Sequence, residues 1–163
     1  MEQKLNIALV SHDGRKAEMI EWVKYNADTL SRHNLFATGT TGRLIEEISI
    51  VTQDDASSRK TIAYPFDGKV TCLLSGPLGG DQQIGAMIAE GKIDVLFFFC
   101  DNLIMQGHQN DVSALTRLAS LYNIAFATNR TTSDLILTSP LLTDPSYRRI
   151  LPGKIDAYKH RKL

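Results

Sequence analysis

Five short apolar runs punctuate the chain, and none of them alternates strictly with polar residues. Runs of this length and composition are typical of β-strands that are covered on both faces. Between them, apolar residues recur every three or four positions, which predicts helices with one buried face. The predicted strands cover residues 5–10, 35–38, 70–75, 93–100 and 124–128.

Alternation of strands with helices favours a parallel sheet with right-handed crossover connections and helices on both of its faces. We therefore predict an α/β fold built on a doubly wound, five-stranded parallel sheet. A single domain is expected over residues 1–163, because the chain has the length of one ordinary domain. The polar stretch from about residue 50 to 68 is interpreted as an excursion within that domain.

The charge balance argues against two classes of partner. With 18 basic and 18 acidic side chains, the chain has no net charge that would attract nucleic acid or an acidic membrane. The first apolar run is too short for a secretory signal or a membrane span, so a cytoplasmic location is expected. Cys72 and Cys100 lie in predicted strands, which indicates buried, reduced thiols.

The ends of the predicted strands carry most of the glycine and polar residues. Open parallel sheets bind their ligands at the carboxyl ends of the strands. The TGTTG stretch at residues 38–42 lies between a strand and a helix, where glycine and helix N-terminal amides suit a phosphate group. The same residues are equally consistent with a simple helix N-cap made by threonine. Neither the Walker spacing nor GxGxxG occurs, so nucleotide binding loses support.

Candidate acid–base groups gather at the same end of the sheet. Asp81 follows two glycines that leave room for a substrate, and a desolvated carboxylate there can remove a proton beside a carbonyl. A helix N-cap is the commoner role for such an aspartate. His12 and His108 can hydrogen-bond a carbonyl oxygen and stabilise an enediolate. Lys16 can supply a positive charge for a phosphate, although most helix lysines are simply solvated.

Three further carboxylates, those of Asp13, Asp101 and Asp111, follow the first and fourth predicted strands. Carboxylates that lie close together must raise some of their pKa values or pair with the histidines. A divalent metal is the competing interpretation, but the spacing matches no known metal-binding loop. The cluster is therefore only weak evidence for a metal, and we expect His33 and His160 to lie on the surface.

Several of these segments together resemble the methylglyoxal synthase family over roughly residues 5–140. The segments are IALVSHDGRK, ATGTTG, LLSGPLGGDQQIGAMIAEGKIDVLFFF, and the Asp101, His108 and Asp111 arrangement followed by LxRLA and FATN. TGTTG together with SGPLGGDQQ is a highly specific combination. The resemblance implies a homohexamer with the predicted fold, which converts dihydroxyacetone phosphate to methylglyoxal and inorganic phosphate without cofactor or metal.

The resemblance also implies roles for individual residues. Asp81 aligns with the family's catalytic base, and His108 is placed at the carbonyl and hydroxyl oxygens of the substrate. Asp13, Asp101 and Asp111 fall on supporting carboxylates. The implied substrate contacts are His12, Lys16, Thr38, Gly39, Thr40, Thr41, Ser75, Gly76 and His108.

Three departures from the family pattern bear on this assignment. The stretch from about residue 50 to 68 is longer than the family usually has, and residues 104–110 differ almost throughout except at His108. Cys100 and Asn102 flank Asp101 where the family commonly has tryptophan and proline. Two other functions stay open. One is a non-catalytic regulatory domain of the same fold that binds a phosphorylated ligand, as found attached to carbamoyl phosphate synthetase. The other is a receiver-like signalling domain with acidic residues around a metal.

Overall fold

The structure is a computed structural model that describes residues 3–104 and 109–162. Within these ranges no helix combines the length and the apolar character needed to cross a membrane. The strands are β1 (Asn6–Ser11), β2 (Asn34–Thr38), β3 (Ile50–Gln53), β4 (Lys60–Ala63), β5 (Val70–Leu73), β6 (Val95–Phe99) and β7 (Ala125–Ala127). The α-helices are α1 (Lys16–Tyr25), α2 (Ala27–Leu30), α3 (Gly39–Glu46), α4 (Gly80–Ala89), α5 (Gln109–Leu121), α6 (Arg130–Leu137) and α7 (Lys154–Lys159).

Five strands form a parallel sheet in the order β5-β2-β1-β6-β7. Each begins and ends within two residues of a predicted strand, so the predicted α/β fold is confirmed. Chain order reverses at β1, which pairs with β2 on one side and with β6 on the other. In open sheets this reversal creates a crevice at the carboxyl ends of the two central strands, where ligands bind.

The core consists of two hydrophobic clusters, one on each face of the sheet. Phe97 and Phe99 of β6 point into the first cluster with helices α1, α3 and α6, where the Trp22 ring packs at 4.8 Å from that of Phe97. Leu96 and Phe98 point into the second cluster with α4 and α5. Helices therefore cover both faces, as expected for a doubly wound sheet.

β3 and β4 form a separate antiparallel hairpin within the stretch that was predicted only as a polar excursion. Val51 lies opposite Ile62, and each is 59% exposed. Short segments rich in Ile, Val and Thr around the Asp54-Asp55 turn were the available signal for this hairpin. Polar residues between the segments obscured it.

Two local expectations were wrong, and one alternative is excluded. The excluded alternative is the N-cap role of Asp81, since Gly79 caps α4 and Asp81 is the second residue of that helix. Cys72 is exposed, since its strand β5 lies at the edge of the sheet. His33 is only 8% exposed, and its Nδ1 accepts a hydrogen bond from the backbone N–H of Leu5 at 3.2 Å.

Candidate active site

A pocket of about 970 Å³ opens where the central parallel strands end. Residues from the loops after β1, β2 and β5 line it together with the beginnings of α4 and α5. Its lining includes most of the predicted site residues: His12, Asp13, Lys16, Gly39, Thr40, Ser75, Gly76, Asp81 and Asp111.

Three predicted site residues lie elsewhere, and a fourth falls outside the described residues. Thr38 and Thr41 are buried beneath the pocket lining, and the Thr41 hydroxyl is 3.0 Å from the Ser11 hydroxyl. Asp101 lies behind Gly14, where an added Cβ would be 2.3 Å from its carboxylate. His108, the predicted catalytic partner of Asp81, belongs to the residues that the structure does not describe.

The beginning of α3 forms one wall of the pocket. Thr38 occupies the N-cap position of α3 but makes no capping bond with its side chain, which argues against the plain threonine cap. Gly39 has a φ of +55°, and an added Cβ would come within 3.1 Å of the Ser75 Cβ. The N–H of Gly39 donates to the Leu74 carbonyl oxygen, whereas the N–H groups of the residues after it in the first helical turn have no partner within the helix and are available to an anion.

Lys16 brings a cation to the same pocket. Its ammonium group forms an ion pair with the carboxylate of Asp13, one turn earlier in the chain. The Lys16 side chain is 24% exposed, whereas that of Asp13 is 95% exposed. The lysine is therefore held in the pocket wall, while its acidic partner lies mostly in solvent.

Among the acidic residues that the structure describes, Asp81 is the most deeply buried, with 3% of its surface exposed. Gly76 lies over its carboxylate, since an added Cβ there would be 3.2 Å from Oδ1. At Gly80 an added Cβ would come within 1.9 Å of the Leu74 carbonyl oxygen, so only glycine fits between the β5 loop and α4. Asp81 lies in the first turn of α4, where the positive end of the helix dipole faces its carboxyl group.

His12 is also buried and has a defined orientation. Its Nδ1 accepts a hydrogen bond from the backbone N–H of Asp101 at 2.9 Å. The neutral ring must then carry its proton on Nε2, which makes that nitrogen a hydrogen-bond donor. The ring also meets that of Phe98 in an edge-on contact with centroids 5.2 Å apart.

The thiols near the site are poor nucleophiles. Burial raises the pKa of Cys100 to about 11, the nearby Asp81 carboxylate raises it further, and Arg15 opposes the rise. Burial also raises the pKa of Cys72, with Glu46 adding to the effect. Both groups stay protonated at neutral pH, so they lack the thiolate that covalent chemistry requires.

Some lining residues had not been identified from the sequence. Val10, Phe98 and Asn110 line the pocket. Val10 and Phe98 lie in apolar strands, where the sequence predicted only core residues. Asn110 stands directly before Asp111, which was the only available signal for it. Among the described residues, no group of three or more His, Cys, Asp or Glu side chains is arranged to hold a metal ion.

Comparisons with known proteins agree on one family. Residues 18–128 match the family model described as MGS-like domain. Methylglyoxal synthase of Maridesulfovibrio salexigens is 46% identical over 163 residues, covering 100% of both chains. That of Proteus mirabilis is 49% identical over 145 residues, covering 89% of this chain and 84% of its own. The crystal structure of methylglyoxal synthase from Elizabethkingia anophelis has a TM-score of 0.78 and 39% identity, covering 100% of this chain and 95% of its own.

Proposed function

The chain belongs to the methylglyoxal synthase family, and from this premise we propose that it converts dihydroxyacetone phosphate to methylglyoxal and inorganic phosphate. The protein is a lyase by its family. Its finer class, a carbon–oxygen lyase acting on phosphates, is part of the proposal. The observation that carries it is the buried carboxylate of Asp81 in the same pocket as Lys16 and the beginning of α3.

The first step is removal of a proton from the substrate. The Asp81 carboxylate takes a proton from the hydroxymethyl carbon, and the electrons of that C–H bond move toward the carbonyl to give an enediolate. Because Asp81 is shielded from water, its carboxylate does not have to shed a full hydration shell as the substrate binds. A proton on His12 Nε2 can be donated to an oxygen where negative charge develops. The family resemblance assigns the same task to His108.

The second step is loss of phosphate. The hydroxyl on the former hydroxymethyl carbon becomes an aldehyde carbonyl and passes its proton to the departing phosphate. The double bond shifts to the phosphate-bearing carbon, and the bond between that carbon and the bridging oxygen breaks. The resulting enol takes up a proton and becomes methylglyoxal, so the products together contain all the atoms of the substrate. Lys16 and the N–H groups that follow Gly39 in the first turn of α3 stabilise the leaving phosphate because both present positive charge to it.

The test is an assay of both products with the purified protein and a chelator. The parent should release methylglyoxal and phosphate in equal amounts, and Asp81→Asn should lower kcat by at least about a thousandfold, because the amide cannot accept the proton. Asp55→Asn, on the exposed hairpin turn, is the matched control and should retain activity. Binding of inorganic phosphate by Asp81→Asn would confirm that its pocket is intact.

A folded parent that binds phosphate without turning over the substrate would contradict this proposal. The chain would then act as the non-catalytic regulatory domain considered above. No contact among the described residues favours that function, since a binding domain has no use for a buried carboxylate beside the bound phosphate.

We also propose that the protein assembles as a homohexamer in the cytoplasm, as its family membership implies. A hexamer would have about six times the mass of the 18.1 kDa chain. Light scattering during size-exclusion chromatography measures that mass directly. A monomer or dimer at micromolar concentration would contradict the assembly without bearing on the reaction.

A further inference from the structure

Three segments of the pocket meet at the backbone of Leu74, the residue directly after β5. Its carbonyl oxygen accepts a hydrogen bond from the N–H of Gly39 at 3.1 Å, which ties it to the beginning of α3. The same oxygen lies against Gly80, where an added Cβ would be only 1.9 Å away. Leu74 therefore joins the predicted phosphate-binding helix to the helix that carries Asp81.

The other polar group of this backbone is held by a side chain. Leu74 donates its N–H to Oε1 of Gln83 at 2.9 Å, and Gln83 lies in the first turns of α4. With its N–H held by α4 and its C=O held by α3, Leu74 cannot change φ or ψ without breaking one of the two bonds. Of these two hydrogen bonds, only the one that Gln83 accepts involves a side chain, so only that one can be removed by a substitution.

The direction of the chain at Leu74 determines where the next residues lie. Ser75 and Gly76 follow it directly and line the pocket. The Ser75 carbonyl oxygen accepts hydrogen bonds from the N–H groups of Leu78 and Gly80, at 3.0 and 2.9 Å, which close the turn into α4. A small rotation at Leu74 would thus move the β5 loop relative to α3.

We propose that Gln83 is a positioning residue, which acts through the Leu74 backbone to hold the phosphate-binding beginning of α3 and the Asp81 carboxylate at a fixed separation. The inference rests on the proposed function. Gln83 itself is exposed and does not line the pocket, so it acts without contacting the substrate. Misplacement of a reacting group by about 1 Å can cost a hundredfold in rate, and a lost hydrogen bond at a solvated site should cost less.

The neighbouring Gln82 provides a matched control. It is a glutamine on the same turn of α4 and is also exposed, but its side chain has no hydrogen bond to any described residue. Gln83→Met removes the acceptor at similar volume, Gln83→Glu keeps an acceptor oxygen, and Gln82→Met changes the same chemistry without touching Leu74. All three changes lie on an exposed face, so each variant should fold.

Two readouts separate positioning from folding. In steady-state assays, Gln83→Met should lower kcat/KM roughly tenfold relative to Gln82→Met, with Gln83→Glu restoring most of the loss. In calorimetry, the Kd of inorganic phosphate should rise several-fold for Gln83→Met alone. The melting temperatures of Gln83→Met and Gln82→Met should agree, since both substitutions lie in solvent.

The proposal is overturned if Gln83→Met and Gln82→Met agree in both readouts, or if Gln83→Glu is as impaired as Gln83→Met. It is also overturned if Gln83→Met melts well below Gln82→Met while its phosphate affinity is unchanged, because Gln83 would then serve stability alone. A parent without turnover contradicts the proposed function instead. In that case the phosphate affinities of the variants still decide the role of Gln83.

Discussion

Lys16 reaches the pocket as a cation that is already paired with an acidic residue. A bound phosphate would draw its ammonium group away from the exposed Asp13 carboxylate, and the phosphate gains a charge-assisted bond. We predict that Lys16→Gln raises KM and the Kd of phosphate about 10- to 100-fold, because a hydrogen bond to a charged group contributes about 1.5–3 kcal/mol. Steady-state kinetics and calorimetry at low salt measure both quantities.

Lys24, exposed on the same helix α1, is the control for net charge. Lys24→Gln removes one positive charge without altering the pocket and should leave KM within about twofold. If the two substitutions raise KM equally, the effect comes from the net charge of the protein, and Lys16 does not bind the phosphate directly.

Cys100 makes stability depend on pH in an alkaline window. Its pKa rises from 9.0 for an unperturbed thiol to about 11 in the folded protein, chiefly through burial. The raised pKa means that the unfolded chain releases this proton first, so the contribution is complete below pH 9 and is lost as pH rises toward 11. We predict that the free energy of unfolding falls less steeply over this window in Cys100→Ala than in the parent. Urea titrations at several pH values measure the two slopes, and equal slopes would contradict the prediction.

The role of a residue was easiest to predict from the sequence where neighbouring glycines indicated an unusual backbone. Gly79 and Gly80 before Asp81 were interpreted as leaving room for a substrate, whereas in the structure the Leu74 carbonyl oxygen lies against Gly80 and only Gly79 is open. Thr41 was predicted as a substrate contact and Asp101 as a supporting carboxylate, and both lie behind the residues that line the pocket. Side chains of neighbouring loop residues can point either into the pocket or into the protein interior. Which of the two occurs depends on packing against segments that are distant in the chain. The assigned roles of these residues stay predictions.

The β3–β4 hairpin is an element with little influence on the site. It follows α3 at the end of the sheet opposite the pocket, and its paired residues Val51 and Ile62 are largely exposed. We predict that replacing residues 52–61 with Asn-Gly preserves kcat/KM within about twofold and changes the free energy of unfolding by less than about 1 kcal/mol. Kinetics and urea denaturation test this, and a tenfold loss of kcat/KM would mean that the hairpin contributes to the active assembly.

Element boundaries were predictable where burial dictated composition. A strand with helices on both faces must be apolar at nearly every position, so the central strands β1 and β6 stood out as continuous runs. The edge strands β5 and β7 are only partly buried but still have strand composition. The hairpin has no such requirement, because most of its residues face solvent and are polar. Asn26, with ψ near 20°, divides the first predicted helix into α1 and α2. The helical spacing of apolar residues continues across this break, so the spacing alone did not predict two helices.

At the scale of the whole molecule, the alternation of elements predicted the parallel sheet but not its strand order. The order β5-β2-β1-β6-β7 arises because successive crossovers run first in one direction from β1 and then in the other. This reversal brings His12, after β1, beside Asp101, after β6. Contacts between residues so distant in the chain depend on the whole topology. The carboxyl-end rule for parallel sheets placed both residues at the same end of the sheet, but it did not predict that they would be neighbours. The single-domain assignment stays a prediction.

The central strand β6 belongs to both hydrophobic clusters, and its residues Val95–Phe99 are all buried. Its amide protons should therefore exchange with solvent deuterium only when the entire domain unfolds, whereas those of the exposed hairpin exchange through local openings. Ile45→Val in the first cluster and Ile88→Val in the second should each lower the exchange protection of β6 by about 1 kcal/mol. Loss of protection in only one variant would mean that the clusters open separately. Equal losses would make β6 the link through which the two halves of the core unfold as one cooperative unit.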